Sequence, residues 1–208
     1  VLQPPIHALN IVYPNKQISE SSTIPEGFNL KLLYGKEGLD EIMSYSISKN
    51  PQRKNNFDYK TKEFGKIFSQ EDIGKYSSKL KHISESIINS EGIILIYSQY
   101  IDAGLIPVAL TLEEMGISRY GDKSKSLLKN PPSMKMDALS MTLQQNVTKQ
   151  AKYAMITGDK LLSPKNNDEV IALTNSDNIN GEKIKVVLIS SAGSEGLDFS
   201  NIRQVHVL

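Results

Sequence analysis

Gly92-Ile93-Ile94-Leu95-Ile96-Tyr97-Ser98-Gln99-Tyr100 is the stretch whose reading decides the fold. Its apolar run is continuous, not alternating. A strand of that length with apolar side chains on both faces has to be covered on both faces, which is the situation of a strand inside a parallel sheet. Ser98 to Gly104 then reads as an exit loop. Leu105, Ile106, Val108, Ala109, Leu112 and Met115 follow at helical spacing, with Gly116 closing the helix. Strand, loop and helix make one βα unit.

Working upstream, Leu80, Ile83, Ile87 and Ile88 have helical spacing, with Ser77 or Ser78 as the cap and Gly92 as the stop. Before that the signals weaken. Ile6, Ala8, Asn10 and Val12 alternate between Pro4-Pro5 and Pro14 and predict a short entry strand. Residues 15–27 are Ser-rich and read as a loop. Leu39, Ile42, Met43, Tyr45 and Ile47 predict a short helix, and polar residues 50–66 a surface insertion.

Downstream, Tyr120 to Gln150 is too long and polar for a tight crossover and reads as inserted. Tyr153-Ala154-Met155-Ile156 is a second central strand, ending in the turn Thr157-Gly158-Asp159. Asp168 to Leu173 predicts a short helix and Asn175 to Glu182 a turn region. Ile184 to Ile189 is a third strand, Ser190 to Asp198 its loop, and Val205 to Leu208 a fourth strand. Strands alternating with helices predict a doubly wound parallel α/β sheet with helical and loop insertions. Residues 1–75 form an entry strand plus inserted region, and 76–208 the α/β domain. The chain stops inside the apolar run Gln204 to Leu208, so we expect a fragment, with the domain incomplete at its C-terminus.

Composition narrows the chemistry. Among 208 residues, 24 Lys plus Arg stand against 23 Asp plus Glu, so any contact with nucleic acid has to be local. The absence of cysteine removes disulfides, thiolate metal sites and cysteine nucleophiles, and fits a reducing, cytoplasmic setting. No run has the length of a membrane span, so no membrane partner is expected. His7, His82 and His206 lack metal-ligand spacing, and no metal site is assigned. No Gly-x-Ser-x-Gly elbow is present. Glu113-Glu114 read as solvated surface, and the lysine-rich stretches 53–66 and 123–135 as solvated surface in preference to a phosphate-backbone contact.

Ligands of open parallel sheets bind beyond the carboxyl ends of the strands, where loops present free N–H groups. Three loops qualify: Ser98-Gln99-Tyr100, Thr157-Gly158-Asp159, and Ser190-Ser191-Ala192-Gly193-Ser194-Glu195-Gly196-Leu197-Asp198. The third places hydroxyls at the strand tip, glycines where backbone must come close, and a carboxylate beyond. Hydroxyls and N–H groups suit phosphate oxygens, and a carboxylate suits ribose hydroxyls or an arginine. An ordinary βα turn accounts for the same composition. No Gly-x-x-x-x-Gly-Lys-Ser/Thr loop and no Asp-Glu pair after an apolar strand occurs.

The order of these elements resembles the second RecA-like domain of superfamily 2 helicases. Gly92 to Tyr100 resembles motif IV, and Tyr76-Ser77-Ser78-Lys79-Leu80 resembles the helix start before it in Swi/Snf-like members. Tyr153 to Asp159 resembles the strand with its Thr-Gly-Asp turn, and Val186 to Phe199 resembles motif V, with Ala192-Gly193 and Gly196-Leu197-Asp198 as its elements. The lysine, asparagine and isoleucine bias with long insertions resembles the helicases of large cytoplasmic DNA viruses, including those of early transcription.

The resemblance implies an ATP-dependent helicase or translocase. It assigns nucleic-acid contacts to Ser98, Gln99, Thr157, Gly158, Ser190, Ser191 and Gly193, and the interdomain ATP cleft to Gly196 and Asp198. ATP and Mg²⁺ would be held mainly by a first RecA-like domain of the same polypeptide, and the arginine-bearing motif VI is absent from the sequence. The implied partners are nucleic acid, double-stranded DNA foremost, and the transcription machinery, in the cytoplasm, a viral factory or a virion. A non-catalytic RecA-like interaction module stands as the alternative. A dinucleotide or nucleotide-sugar enzyme is the third reading, and it lacks the Gly-x-Gly-x-x-Gly loop.

Overall fold

The structure, a computed structural model, describes residues 3–21, 23–46, 56–60, 64–121, 126–159, 162–163, 166–193 and 197–208. Helix α1 spans Gln3–Asn10, α2 Gly35–Ile42, α3 Ser78–Ile88, α4 Ile106–Glu114 and α5 Asn166–Thr174. Strands β1 (Met43–Ser46) and β2 (Asn56–Tyr59) form an antiparallel pair. Strands β3 (Ile93–Tyr97), β4 (Ser118–Arg119), β5 (Lys152–Ile156), β6 (Val186–Ile189) and β7 (Ile202–Val207) form a five-stranded parallel sheet in the order β4-β5-β6-β3-β7.

Both faces of the central strands are covered, as the uninterrupted apolar runs require. Ile94 and Ile96 of β3, Tyr153 and Met155 of β5, and Val186 and Leu188 of β6 join the core under α3 and α4. Their neighbours Ile93, Ala154, Ile156, Val187 and Ile189 face the other way, against Ala172 and Leu173 of α5. The architecture is α/β, RecA-like and doubly wound. Cover on the second face is incomplete toward β7, where Val205 and Val207 are exposed.

Local signals explain the helix limits. Ser77 Oγ caps α3 by accepting the Leu80 N–H at 2.9 Å, and Gly92 takes the left-handed φ of +73° that turns the chain into β3. A π-helical turn at Ile101–Leu105 leads into α4, whose residues Ile106 to Glu113 are all buried. No helix among the described residues is long and apolar enough to cross a membrane.

Several expectations need correction. The predicted entry strand at 6–12 is α1 instead. Pro4 and Pro5 lie in its first turn, where no N–H is required, and a seven-residue alternation cannot by itself exclude a helix. Asn10, at its end, is buried and bonded on three sides: its amide donates to the Ala103 carbonyl (3.1 Å), its side-chain oxygen accepts from Lys79 Nζ (2.7 Å) and its carbonyl accepts from Ser77 Oγ (2.6 Å). The predicted helix around 39–47 ends at Ile42, and Met43 and Tyr45 belong to β1. The polar stretch 50–66 contributes β2, with Phe57 buried against Tyr45; residues 50–55 and 61–63 lie outside the described residues.

Glu113 is not solvated. It is buried, and its carboxylate accepts bonds from Tyr153 Oη (2.7 Å), Ser126 Oγ (2.6 Å) and the N–H groups of Leu127 (2.8 Å) and Leu128 (2.7 Å). A paired carboxylate can be buried where an unpaired one cannot. This one fastens the inserted segment to α4. Glu114 is engaged as well, accepting from Tyr59 Oη at 3.0 Å. The lysine-rich stretch 123–135 likewise departs from a purely solvated loop, because Leu127 and Leu128 enter the core; residues 123–125 lie outside the described residues.

Candidate nucleic-acid and nucleotide interface

Strands β5, β6 and β3 end level with one another. Ile156 lies opposite Ile189, and Ile189 opposite Tyr97. Each is followed by a hydroxyl residue: Thr157, Ser190 and Ser98. The ladder runs one step further, with Ser190 N–H donating to the Ile156 carbonyl and Ser98 N–H to the Ile189 carbonyl, both at 3.2 Å. Sequence reasoning placed these three residues in separate loops, and the parallel register makes them a row.

Two glycines lock the loops beyond. A Cβ on Gly193 would collide with the carbonyl of Ile156, and one on Gly158 would lie 2.9 Å from Cβ of Ala192. The turn Thr157-Gly158 and the motif Ala192-Gly193 are therefore pressed together backbone to backbone, which other residue types would prevent. Gly104 has the same role on the far side, where a Cβ would overlap the Ser98 side chain.

The hydroxyl row is buried. Ser98 is 0%, Thr157 1% and Ser190 3% exposed, so none presents its hydroxyl freely to solvent. Ser98 Oγ accepts the Tyr100 N–H at 3.2 Å, which shapes the loop after β3. Thr157 Oγ1 bonds Ser163 Oγ at 2.9 Å and accepts the Asp159 N–H at 3.2 Å. Ser163, which no sequence signal singled out, also accepts the Thr157 N–H at 3.0 Å and donates to the Met155 carbonyl. Ser190 Oγ is the exception, buried with no hydrogen-bond partner among the described residues.

What the edge offers outward is different. Gln99, Gly158, Ser191 and Asp198 are exposed, and Gly193 is half-buried between them; Gly196 lies outside the described residues. The accessible polar surface is thus short side chains and backbone at the tips of three adjacent parallel strands. Such an edge can bind phosphate and sugar oxygens without reading base edges. An exposed carboxylate at Asp198 suits ribose hydroxyls or an arginine, and repels phosphate. Among the described residues no group of three His, Asp or Glu side chains could hold a metal ion.

No protein-family model matches the chain. Curated relatives do. Proteins called "Termination factor NPH-I homolog" from African swine fever virus are 36% identical over 146 residues, which is 64% of this chain and 20% of theirs. A "Putative ATP-dependent RNA helicase" of Acanthamoeba polyphaga mimivirus is 27% identical over 182 residues, 86% of this chain and 31% of its own length. The chain thus spans about a fifth of the length of the termination-factor relatives it matches. The RecA-like parallel sheet is shown by the topology, and the comparisons make the chain similar to a termination factor and a putative helicase of large DNA viruses.

Proposed function

We propose that the chain is the second RecA-like half of an ATP-dependent helicase or translocase. Residues 76–208 would be the RecA-like unit, and 1–75 a region packed beside it. The observation that carries this reading is the row Thr157, Ser190 and Ser98 at level strand tips, fixed by Gly193 against Ile156. Gln99, Gly158, Ser191 and the backbone around Gly193 would touch the nucleic-acid backbone. Ser98 and Thr157 act as positioning residues, since their hydroxyls bond their own loops. Ser190, buried and without a hydrogen-bond partner among the described residues, would donate to a phosphate oxygen once the loop is engaged.

Asp198, with Gly196, would form one wall of an interdomain ATP cleft. With no phosphate loop in the sequence, the phosphates and Mg²⁺ would be held by a first RecA-like domain of the same polypeptide. When bound there, ATP would supply the hydrolysis that opens and closes the two domains. The relatives' names, a termination factor and an ATP-dependent RNA helicase, support work on nucleic acid, and duplex DNA alongside transcription in the cytoplasm is the form proposed here.

Binding of fluorescent duplex DNA to the chain tests this interface. Backbone recognition predicts an affinity independent of sequence that falls steeply with salt, and a loss of about threefold, roughly 0.6 kcal/mol, for Gln99→Ala or Ser191→Ala. Binding insensitive to salt, or unchanged in both variants, would contradict it. In that case the non-catalytic interaction module becomes the better account.

A further inference from the structure

Beside the strand tips, on the side of the β1–β2 pair, lies an open cavity of about 240 Å³. Three carboxylates surround it: Asp40 from α2, Asp102 from the turn after β3, and Asp159 from the turn after β5. Lys36 is the cation among the described lining residues, and it is drawn to Asp40 at 2.6 Å. Most of the remaining wall is apolar, with the rings of Tyr45 and Phe57 in tilted contact, centroids 4.6 Å apart. None of these groups belongs to the interface assigned above.

Among the described lining residues, carboxylates outnumber cations three to one. The Asp102 carboxyl is held above the usual carboxylate range by partial burial, opposed by Lys36 and reinforced by Asp40 and Asp159. The Tyr45 hydroxyl is pushed up by burial and by Asp159, with Arg119 opposing. Tyr13, buried, with no hydrogen-bond partner for its hydroxyl among the described residues, is pushed up by burial and then by Asp102 and Asp40. In all three groups burial is the largest cause, and at least one of these carboxylates adds to it. Phosphate would be repelled here, a few residues from tips suited to phosphate.

Size and spacing select the cation. The volume lies below the roughly 300 Å³ at which small-molecule pockets begin, too little for a nucleotide. No three carboxylates among the described residues converge on one metal ion. A long side chain with an apolar stem and a spread, multi-donor head fits both facts, and a planar guanidinium also stacks on aromatic rings. We propose that this cavity docks a basic side chain, an arginine above all, of a partner polypeptide.

The test is titration of the isotope-labelled chain with acetyl-Ala-Arg-Ala-amide and with its uncharged citrulline counterpart, followed by NMR. The arginine peptide should shift resonances of Asp40, Asp102 and Phe57. Asp102→Asn and Asp40→Asn should each weaken it about fivefold, the worth of one exposed charged contact, with the fold's spectrum retained. Asp40 is on an exposed turn of α2, so its variant serves should Asp102→Asn disturb the loop. Equal binding of the citrulline peptide, shifts mapping elsewhere, or a short duplex DNA shifting the same resonances would overturn the proposal. Loss of the DNA interface assigned above would leave it standing.

Discussion

Gly193 lies against the carbonyl of Ile156, so the loop leaving β6 and the tip of β5 meet without a side chain between them. Replacing Gly193 by Ala forces these backbones apart. Overpacking of this kind costs about 1–3 kcal/mol. Chemical denaturation of Gly193→Ala should show that loss together with weaker DNA binding. Gly158→Ala meets only the methyl of Ala192 and should lose less of both. Equal stability of Gly193→Ala and the parent would mean the loops are not packed as described.

Ser190 separates fold from function. Its hydroxyl is buried and has no partner among the described residues, so Ser190→Ala removes no internal hydrogen bond. The variant should unfold within about 0.5 kcal/mol of the parent, while DNA affinity falls. A large loss of stability would show that the hydroxyl has a structural partner, and unchanged affinity would remove it from the interface.

Glu113 should behave oppositely. Glu113→Ala would strand the hydroxyls of Tyr153 and Ser126 and two buried N–H groups, and should destabilise by about 3 kcal/mol or more. Hydrogen exchange should rise first around Leu127 and Leu128, because the carboxylate is what fastens that segment to α4. A loss spread evenly over the sheet would argue against that role.

Glu169 on α5 gives the fold a pH dependence of unusual sign. Burial raises its carboxyl to about 7, with Arg119 opposing, so the folded state holds this proton more tightly than the unfolded chain does. The stabilisation is full below the unfolded value near 4.5 and is lost as pH rises through about 7. Between those limits the loss should be about 1–3 kcal/mol. Glu169→Gln should flatten that slope in denaturation curves recorded from pH 5 to 8; a slope unchanged by the substitution would remove Glu169 as its source.

The central sheet was legible because its strands are covered on both faces and so are written as apolar runs: Ile93 to Tyr97, Tyr153 to Ile156, Ile184 to Ile189. The serine cap at Ser77 and the glycine stops at Gly92 and Gly116 were legible for local reasons of backbone geometry. The first 60 residues were not. Short segments such as 6–12 fit either period, and α1 is settled by tertiary bonds at Asn10 that sequence does not display. Glu113 was misread because a glutamate on a helix carries no mark of the N–H groups that will meet it. At the site, the loops were legible but the depth of their hydroxyls was not. Burial of Ser98 and Thr157 follows from Gly104 and Ser163 closing over them, which are long-range facts. The cavity of Asp40, Asp102 and Asp159 joins three distant stretches and left no local signature.

The most direct test of the account is ATP turnover by the longer polypeptide proposed to carry both RecA-like domains, with and without duplex DNA, beside its Asp198→Ala variant. Turnover stimulated by DNA and reduced at least tenfold, about 1.4 kcal/mol, in the variant is the predicted result. Turnover that ignores DNA, or is unaffected by loss of Asp198, would contradict the placement of this domain at the wall of an ATP cleft.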